Sequence, residues 1–258
     1  ICLPPATGFG LWAYGMARHF KTRRRVFSLQ SSGLRGGMSA SDQSLEDMAE
    51  DCLAQLQAKG VTGKGVGRIA LAGWSFGTHL AYALAQKLKD RQENIASLIV
   101  IDAAAPASRR GRGRAEPPLP QEDSALFRAL LPPDLGLDPD RWQRLHEDAR
   151  LALLLDLAAG HPNLPSGLDL PGLRRMLRVT RQNSLAMAGF HPNRWRGDLH
   201  LVRAQEEPDG PDLLDWDRLT SGAVHLHWVP GNHGSMVQGD NAAQLARVIE
   251  GLLGDAHD

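Results

Sequence analysis

The sequence lacks a surplus of either charge: 29 basic and 29 acidic residues cancel over 258 positions. A chain without a net field has no global pull toward nucleic acid or an anionic membrane, so electrostatic recognition must come from local clusters. Cysteine is scarce. Cys2 and Cys52 lie far apart, no zinc-binding or redox spacing connects them, and both are expected to be buried free thiols. No apolar run approaches the roughly 18 residues that suggest a membrane-spanning helix, and no charged and apolar leader opens the chain, so a cytoplasmic protein is expected. There is no internal repeat. Ile1-Cys2-Leu3 already reads as the end of a strand with no methionine before it, whereas Leu245 to Leu253 reads as an amphipathic helix followed by Gly254 and a polar tail. The expected context is the C-terminal domain of a longer polypeptide.

What is there is alternation. Over the first hundred residues short apolar runs (Ile1–Leu3, Val26–Leu29, Ile69–Ala72, Leu98–Ile101) alternate with helical patterns (Leu11–Phe20, Leu45–Leu56, Phe76–Leu88). This order predicts an α/β fold, a mostly parallel sheet with helices on both faces. From Pro106 to about Trp195 the strand signal stops. The stretch is rich in proline, glycine and arginine, with helical candidates at Leu126–Leu131, Trp142–Leu157 and Leu173–Met187, and strands resume at Asp198–Ala204 and Ala223–Val229. One domain is expected over 1–258, with a core of 1–105 and 196–258 and an inserted helical lid over about 106–195.

The chemistry centres on Gly73-Trp74-Ser75-Phe76-Gly77. A strand before it and a helix after it are the setting in which G-x-S-x-G forms a sharp turn that exposes a nucleophilic serine, with glycines letting strand and helix approach closely. The helix that starts beyond Ser75 also favours developing negative charge there. A serine needs a base brought in by a loop. His233 in "VPGNHGSM" follows a strand and precedes the last helix; His225 and His227 share one strand face, where structural or solvent-facing roles are expected, and His79 projects from the helix after Ser75.

The carboxylate that would orient the imidazole has two possible places: Asp102, ending the apolar strand "SLIVID", or Glu206, Glu207 and Asp209 after the next strand. An aspartate ending a buried strand is costly without a partner, while acids in a polar segment need no explanation beyond solvation, which favours Asp102. Two backbone N–H groups are needed for an oxyanion hole: one is Phe76, after the serine, and the other comes from the loop "LPPATGFG", where prolines cannot donate. Ala6 is the expected second donor and Thr7 its rival.

In this order of serine, strand-end aspartate, long insertion and late histidine, the chain resembles a type I thioesterase domain of a nonribosomal peptide synthetase or polyketide synthase. The resemblance covers nearly the whole chain and rests on "LPPATGFGLWAYGMARHF", "LAGWSFGTHLAYALAQKL", "LIVIDAAAP" and "VPGNHGSMV", with 27 residues from Ser75 to Asp102. Where many members carry a His-Pro-Ala-Gly-Gly type loop, this chain has Pro4-Pro5-Ala6-Thr7-Gly8. The resemblance implies an α/β-hydrolase fold and an upstream carrier domain that delivers an acyl or peptidyl chain on phosphopantetheine to Ser75. Release would follow by hydrolysis or by macrocyclisation or lactonisation, with no metal or soluble cofactor. Arg109, Arg110, Arg112 and Arg114 open the lid and would face an acidic carrier. Leu126, Leu130, Trp142, Leu153, Leu154 and Met176 are expected to form an apolar roof over a floor of Trp74, Phe76 and Phe9. The competing readings are a free-standing serine esterase, lipase or acyltransferase, and a non-catalytic binding module of the same fold.

Overall fold

A computed structural model describes residues 1–22, 24–35, 43–63, 67–106, 119–131, 136–206 and 211–254. The apolar runs pack on both sides because their alternation serves two cores at once. In β2 (Ile69–Trp74), β3 (Ile95–Ile101) and β4 (Leu199–Ala204), Leu71, Leu98, Val100, Leu199 and Leu201 face one core, and Ala72, Ile99, Ile101, Val202 and Ala204 face the other. A period of two with both phases apolar is what a sheet covered on both faces requires. With β1 (Cys2–Leu3) and β5 (Val224–Val229) these strands form a parallel sheet in the order β1-β2-β3-β4-β5.

Four helices cover that sheet. α2 (Leu45–Ala58) and α3 (Phe76–Asp90) pack on the first face, α1 (Leu11–Ala17) and α8 (Gly239–Leu253) on the second. α2 starts where a capping box allows it: the Asp47 N–H donates to the Ser44 hydroxyl at 3.1 Å and the Ser44 N–H returns a bond to the Asp47 carboxylate at 3.0 Å. The two thiols are free and lie in opposite cores, with burial followed by the charge of Asp51 pushing the Cys52 thiol up to about 12. Among the described residues no helix is long and apolar enough to cross a membrane.

One expected strand is missing. The run at Val26–Leu29 makes only an isolated parallel bridge, Ser28 to Cys2, with the Cys2 N–H donating to Phe27 O at 2.7 Å and the Leu29 N–H to Cys2 O at 3.0 Å. Its partner β1 is two residues long and turns at once into Pro4-Pro5, which have no N–H to extend a ladder.

Between β3 and β4 the chain builds α4 (Asp123–Ala129), α5 (Pro139–Arg144), α6 (Glu147–Leu157) and α7 (Leu170–Gly189). These helices have a separate core of Leu126, Phe127, Leu151, Leu154, Leu173, Met176 and Leu177. The pattern at Trp142–Leu157 is therefore two helices, broken where the His146 ring accepts the Ala149 N–H at 3.4 Å and caps α6. The expected apolar roof is corrected by the same packing: Leu126, Leu154 and Met176 are used up inside this core, and Leu130 is exposed. The floor changes too, with Phe76 in the first sheet core and Trp74 in the second, and Phe9 packed against the core of the inserted helices.

Candidate active site

Strand register brings the expected residues together. Trp74 at the end of β2 pairs with Ile101 at the end of β3, so Ser75 and Asp102 leave adjacent strands at the same level. The Ser75 N–H donates to Ile101 O at 3.1 Å and the Asp102 N–H to Val202 O at 2.8 Å, so both residues remain tied to the sheet they are leaving. Both are strained. Ser75 has φ 58° and Asp102 φ 50°, in the left-handed region that costs a non-glycine residue about 1–3 kcal/mol and survives only where the surroundings enforce it.

Around Ser75 the enforcement is steric. A Cβ on Gly73 would lie 2.0 Å from Gly77 O, and one on Gly77 would lie 2.7 Å from Leu3 O and 2.8 Å from Pro4 O. The two glycines are what allow α3 to start against β1 and β2. Thr78 then closes the turn, donating from its hydroxyl to Gly73 O at 2.7 Å while its N–H donates to Ser75 O at 3.0 Å.

His233 reaches the same edge from the loop after β5. Its Nδ1 meets Asp102 Oδ2 at 2.7 Å, and the other carboxylate oxygen accepts the Ala204 N–H at 3.1 Å. Burial pushes the Asp102 carboxyl up, but the His233 bond, the Ala204 N–H and the charges of His233 and Arg203 outweigh it and hold the carboxyl below its ordinary value. An ionised carboxylate only accepts, so His233 Nδ1 carries the hydrogen and Nε2 is left as the basic nitrogen. The Trp74 indole, next in the chain to Ser75, donates to His233 O at 3.1 Å and lies 5.4 Å from the imidazole, centroid to centroid. The histidine loop is thus pinned to the turn that carries the serine. Asn232 shapes it further, its side-chain oxygen accepting the N–H groups of Gly234 at 3.1 Å and Ser235 at 3.0 Å.

The other candidates fall elsewhere. Glu206 is exposed, whereas Glu207, Asp209, Arg109, Arg110, Arg112 and Arg114 lie outside the described residues. His225 and His227 lie on β5 beside His200, His225 reaching Asp198 at 3.4 Å and His227 reaching His200 Nδ1 at 3.3 Å. His79 is buried, with its Nε2 at 3.0 Å from Ala104 O. Together with Trp216, whose indole donates to Ala103 O at 2.7 Å, it braces the backbone just after Asp102. No spacing in the sequence announces that role for Trp216.

The first N–H of α3 belongs to Phe76, at the positive end of a 15-residue helix. In the loop after β1 the Gly8 N–H closes a turn onto Pro5 O at 2.8 Å, and Ala6 O accepts from Asn183 Nδ2 at 2.8 Å. Gly8 has φ 81°, and a Cβ there would meet Ser31, Val179 and Leu34 at 2.9–3.1 Å. A basic imidazole nitrogen, a serine on a strained turn and backbone N–H groups at a helix start are parts that serve acyl transfer.

A family model described as the thioesterase domain matches residues 1–253. The dimodular nonribosomal peptide synthase of Bacillus subtilis (strain 168) is 25% identical over 254 residues, covering 96% of this chain and 10% of that protein. Malpibaldin synthetase of Mortierella alpina is 25% identical over 256 residues, covering 96% of this chain and 4% of that one. The chain therefore spans a tenth or less of the length of these two relatives. The solved wild-type structure of the Vlm2 thioesterase domain superimposes with a TM-score of 0.69 at 25% identity, covering 96% of this chain and 91% of that one. The shared architecture is the α/β-hydrolase fold.

Proposed function

Because the chain belongs to the thioesterase-domain family, we propose that it releases the finished product of a carrier-bound assembly line, taking an acyl or peptidyl chain from a carrier-domain phosphopantetheine onto Ser75. The observation that carries this reading is the 2.7 Å bond between Asp102 and His233 beside the strained Ser75. His233 Nε2 takes the hydroxyl proton as Ser75 Oγ attacks the thioester carbonyl. The tetrahedral oxyanion is held by the N–H groups of Phe76 and Ala6, each donor supplying roughly 3 kcal/mol of transition-state stabilisation. On collapse the C–S bond breaks and His233 returns the proton to the phosphopantetheine thiolate, leaving an ester on Ser75. Asp102 keeps the imidazole in the required tautomer and offsets its transient charge.

In the second half His233 takes a proton from the next nucleophile and passes it to Ser75 Oγ. Water gives the free acid, and an amine or hydroxyl of the bound chain gives a macrocycle or lactone. The chain acts as one thioesterase domain, with its core in 1–105 and 196–258 and the inserted helices as a lid over the acyl-enzyme. No step calls on a metal or soluble cofactor.

The test pairs the protein with a carrier domain loaded with a peptidyl thioester that bears an internal nucleophile. Wild type should show an acyl mass on the Ser75 peptide and release acid or ring. Ser75→Ala should lose the adduct and at least about 10⁴-fold in turnover. An adduct persisting in the alanine variant overturns the assignment, and equal kcat/KM for a simple soluble ester would replace the carrier reading with a free-standing esterase.

A further inference from the structure

The loop that offers the second oxyanion donor is not held by the sheet alone. Ala6 sits between two peptide groups, and each is fixed by a different partner. The group before it is fixed by the Gly8 N–H on Pro5 O, within the loop; the group after it is fixed by Asn183 on Ala6 O, from α7. Because the acceptor is a carbonyl, the Asn183 side chain must present its NH₂ there. Asn183 is 3% exposed, so bulk water is not at hand to take its place. Val179, one turn earlier on α7, packs against the Gly8 turn: its Cγ1 would be 3.0 Å from a Cβ at that position. α7 thus rests on the loop through one apolar contact and one directional bond.

We propose that Asn183 is the positioning residue of the oxyanion loop: by fixing the Ala6–Thr7 peptide at the centre of the Pro5–Gly8 turn it holds the turn whose first peptide carries the Ala6 N–H in the shape that aims this donor at the developing oxyanion. The inference rests on the acyl-transfer reading above and adds a residue that touches neither substrate nor reacting atoms. Without the Asn183 bond the central peptide of the Pro5–Gly8 turn is free to flip, because turn types differ by the orientation of that one group. A flip turns Ala6 O and the Thr7 N–H over and loosens the turn that orients the Ala6 N–H, while Ser75, His233 and Asp102 stay in place. The Asn183 bond also links the hole to the inserted helices, since α7 contributes Leu173, Met176 and Leu177 to their core.

The experiment uses Asn183→Leu and Asn183→Ala, both of which remove the donor without burying a charge. Because losing one oxyanion donor outright costs about 10²–10³-fold, a misaimed one should cost about 10–10²-fold in kcat. KM should stay within about twofold. A peptidyl trifluoromethyl ketone, whose serine adduct carries the oxyanion, should bind more weakly by the same factor as kcat falls, with the pH–rate profile unchanged. kcat within about threefold of wild type in the alanine variant overturns the proposal, as does a loss of kcat with ketone binding intact. If the leucine variant fails to fold, the alanine variant decides alone by the same criteria. If wild type forms no adduct on Ser75, the functional reading itself has failed; if it does and the variants match it, only the Asn183 assignment has.

Discussion

Gly77→Ala should damage activity more than stability. A Cβ at that position would sit 2.7 Å from Leu3 O and 2.8 Å from Pro4 O, so reaching ordinary contact at about 3.4 Å requires α3 and β1 to part by roughly 0.7 Å. Overpacking of this kind costs about 1–3 kcal/mol, while alanine in place of glycine inside a helix returns about 1 kcal/mol. The net loss is about 0–2 kcal/mol, a drop in melting temperature of no more than about 8 °C for a chain of this size. The displaced atoms matter more than the energy. Leu3 and Pro4 lead directly into Pro5-Ala6, so the shift moves the proposed Ala6 donor against Phe76, and a misplacement approaching 1 Å at a reacting site costs up to about 10²-fold. Thermal melts and single-turnover acylation by a loaded carrier should give a folded protein acylating about 10–10²-fold more slowly. Gly73→Ala, with a Cβ 2.0 Å from Gly77 O, should give little folded protein. Full acylation rate and unchanged melting in Gly77→Ala would refute the argument, because it would mean that the contact between α3 and β1 yields without moving the loop.

Asp102→Asn should lower turnover by roughly 10⁴-fold, because an amide in place of the carboxylate stabilises the wrong imidazole tautomer, whereas Glu206→Gln should leave most of it; steady-state kinetics on carrier-bound substrate decide, and comparable losses in the two variants would move the orienting acid away from Asp102. The folded protein should also lose stability as pH falls through about 6.5, where the unfolded chain takes up protons that His200 and His227 resist. Burial and then the neighbouring charges (His225 and His227 for His200, His225 for His227) lower both values, with Asp198 acting the other way on His200, so melting temperature should fall between pH 7.5 and 5.5 and His200→Gln should flatten that slope.

The readable part of this molecule is the part that strand and helix periodicity records. Five of the six apolar runs read as strands are strands, and Ser75, Asp102 and His233 sit where strand ends and one loop converge. A carboxylate closing an apolar strand implies a partner, and Asp102 meets His233 Nδ1 at 2.7 Å. The match of residues 1–253 to the thioesterase domain bears out the resemblance read from the four motif segments. The inserted region was legible only in outline. Its leucines carry helical spacing, but spacing does not say whether an apolar face meets the sheet, the substrate or another inserted helix, and here they meet each other.

What the sequence hid is the support for the strained backbone. Ser75 and Asp102 hold left-handed φ values one residue beyond the paired ends of β2 and β3, and together that costs several kcal/mol unless neighbouring groups leave no alternative. Those groups come from distant points in the chain. Thr78 ties the serine turn, His79 and Trp216 hold the Ala103–Ala104 carbonyls, and Asn183 holds Ala6. None forms a motif, because a hydrogen bond from a side chain to a carbonyl is set by where a carbonyl happens to lie and leaves no period or spacing behind. Ser75 and His233 announce themselves through residue type and turn chemistry; the residues that hold their surroundings in place are found only once the backbone they brace has a position in space.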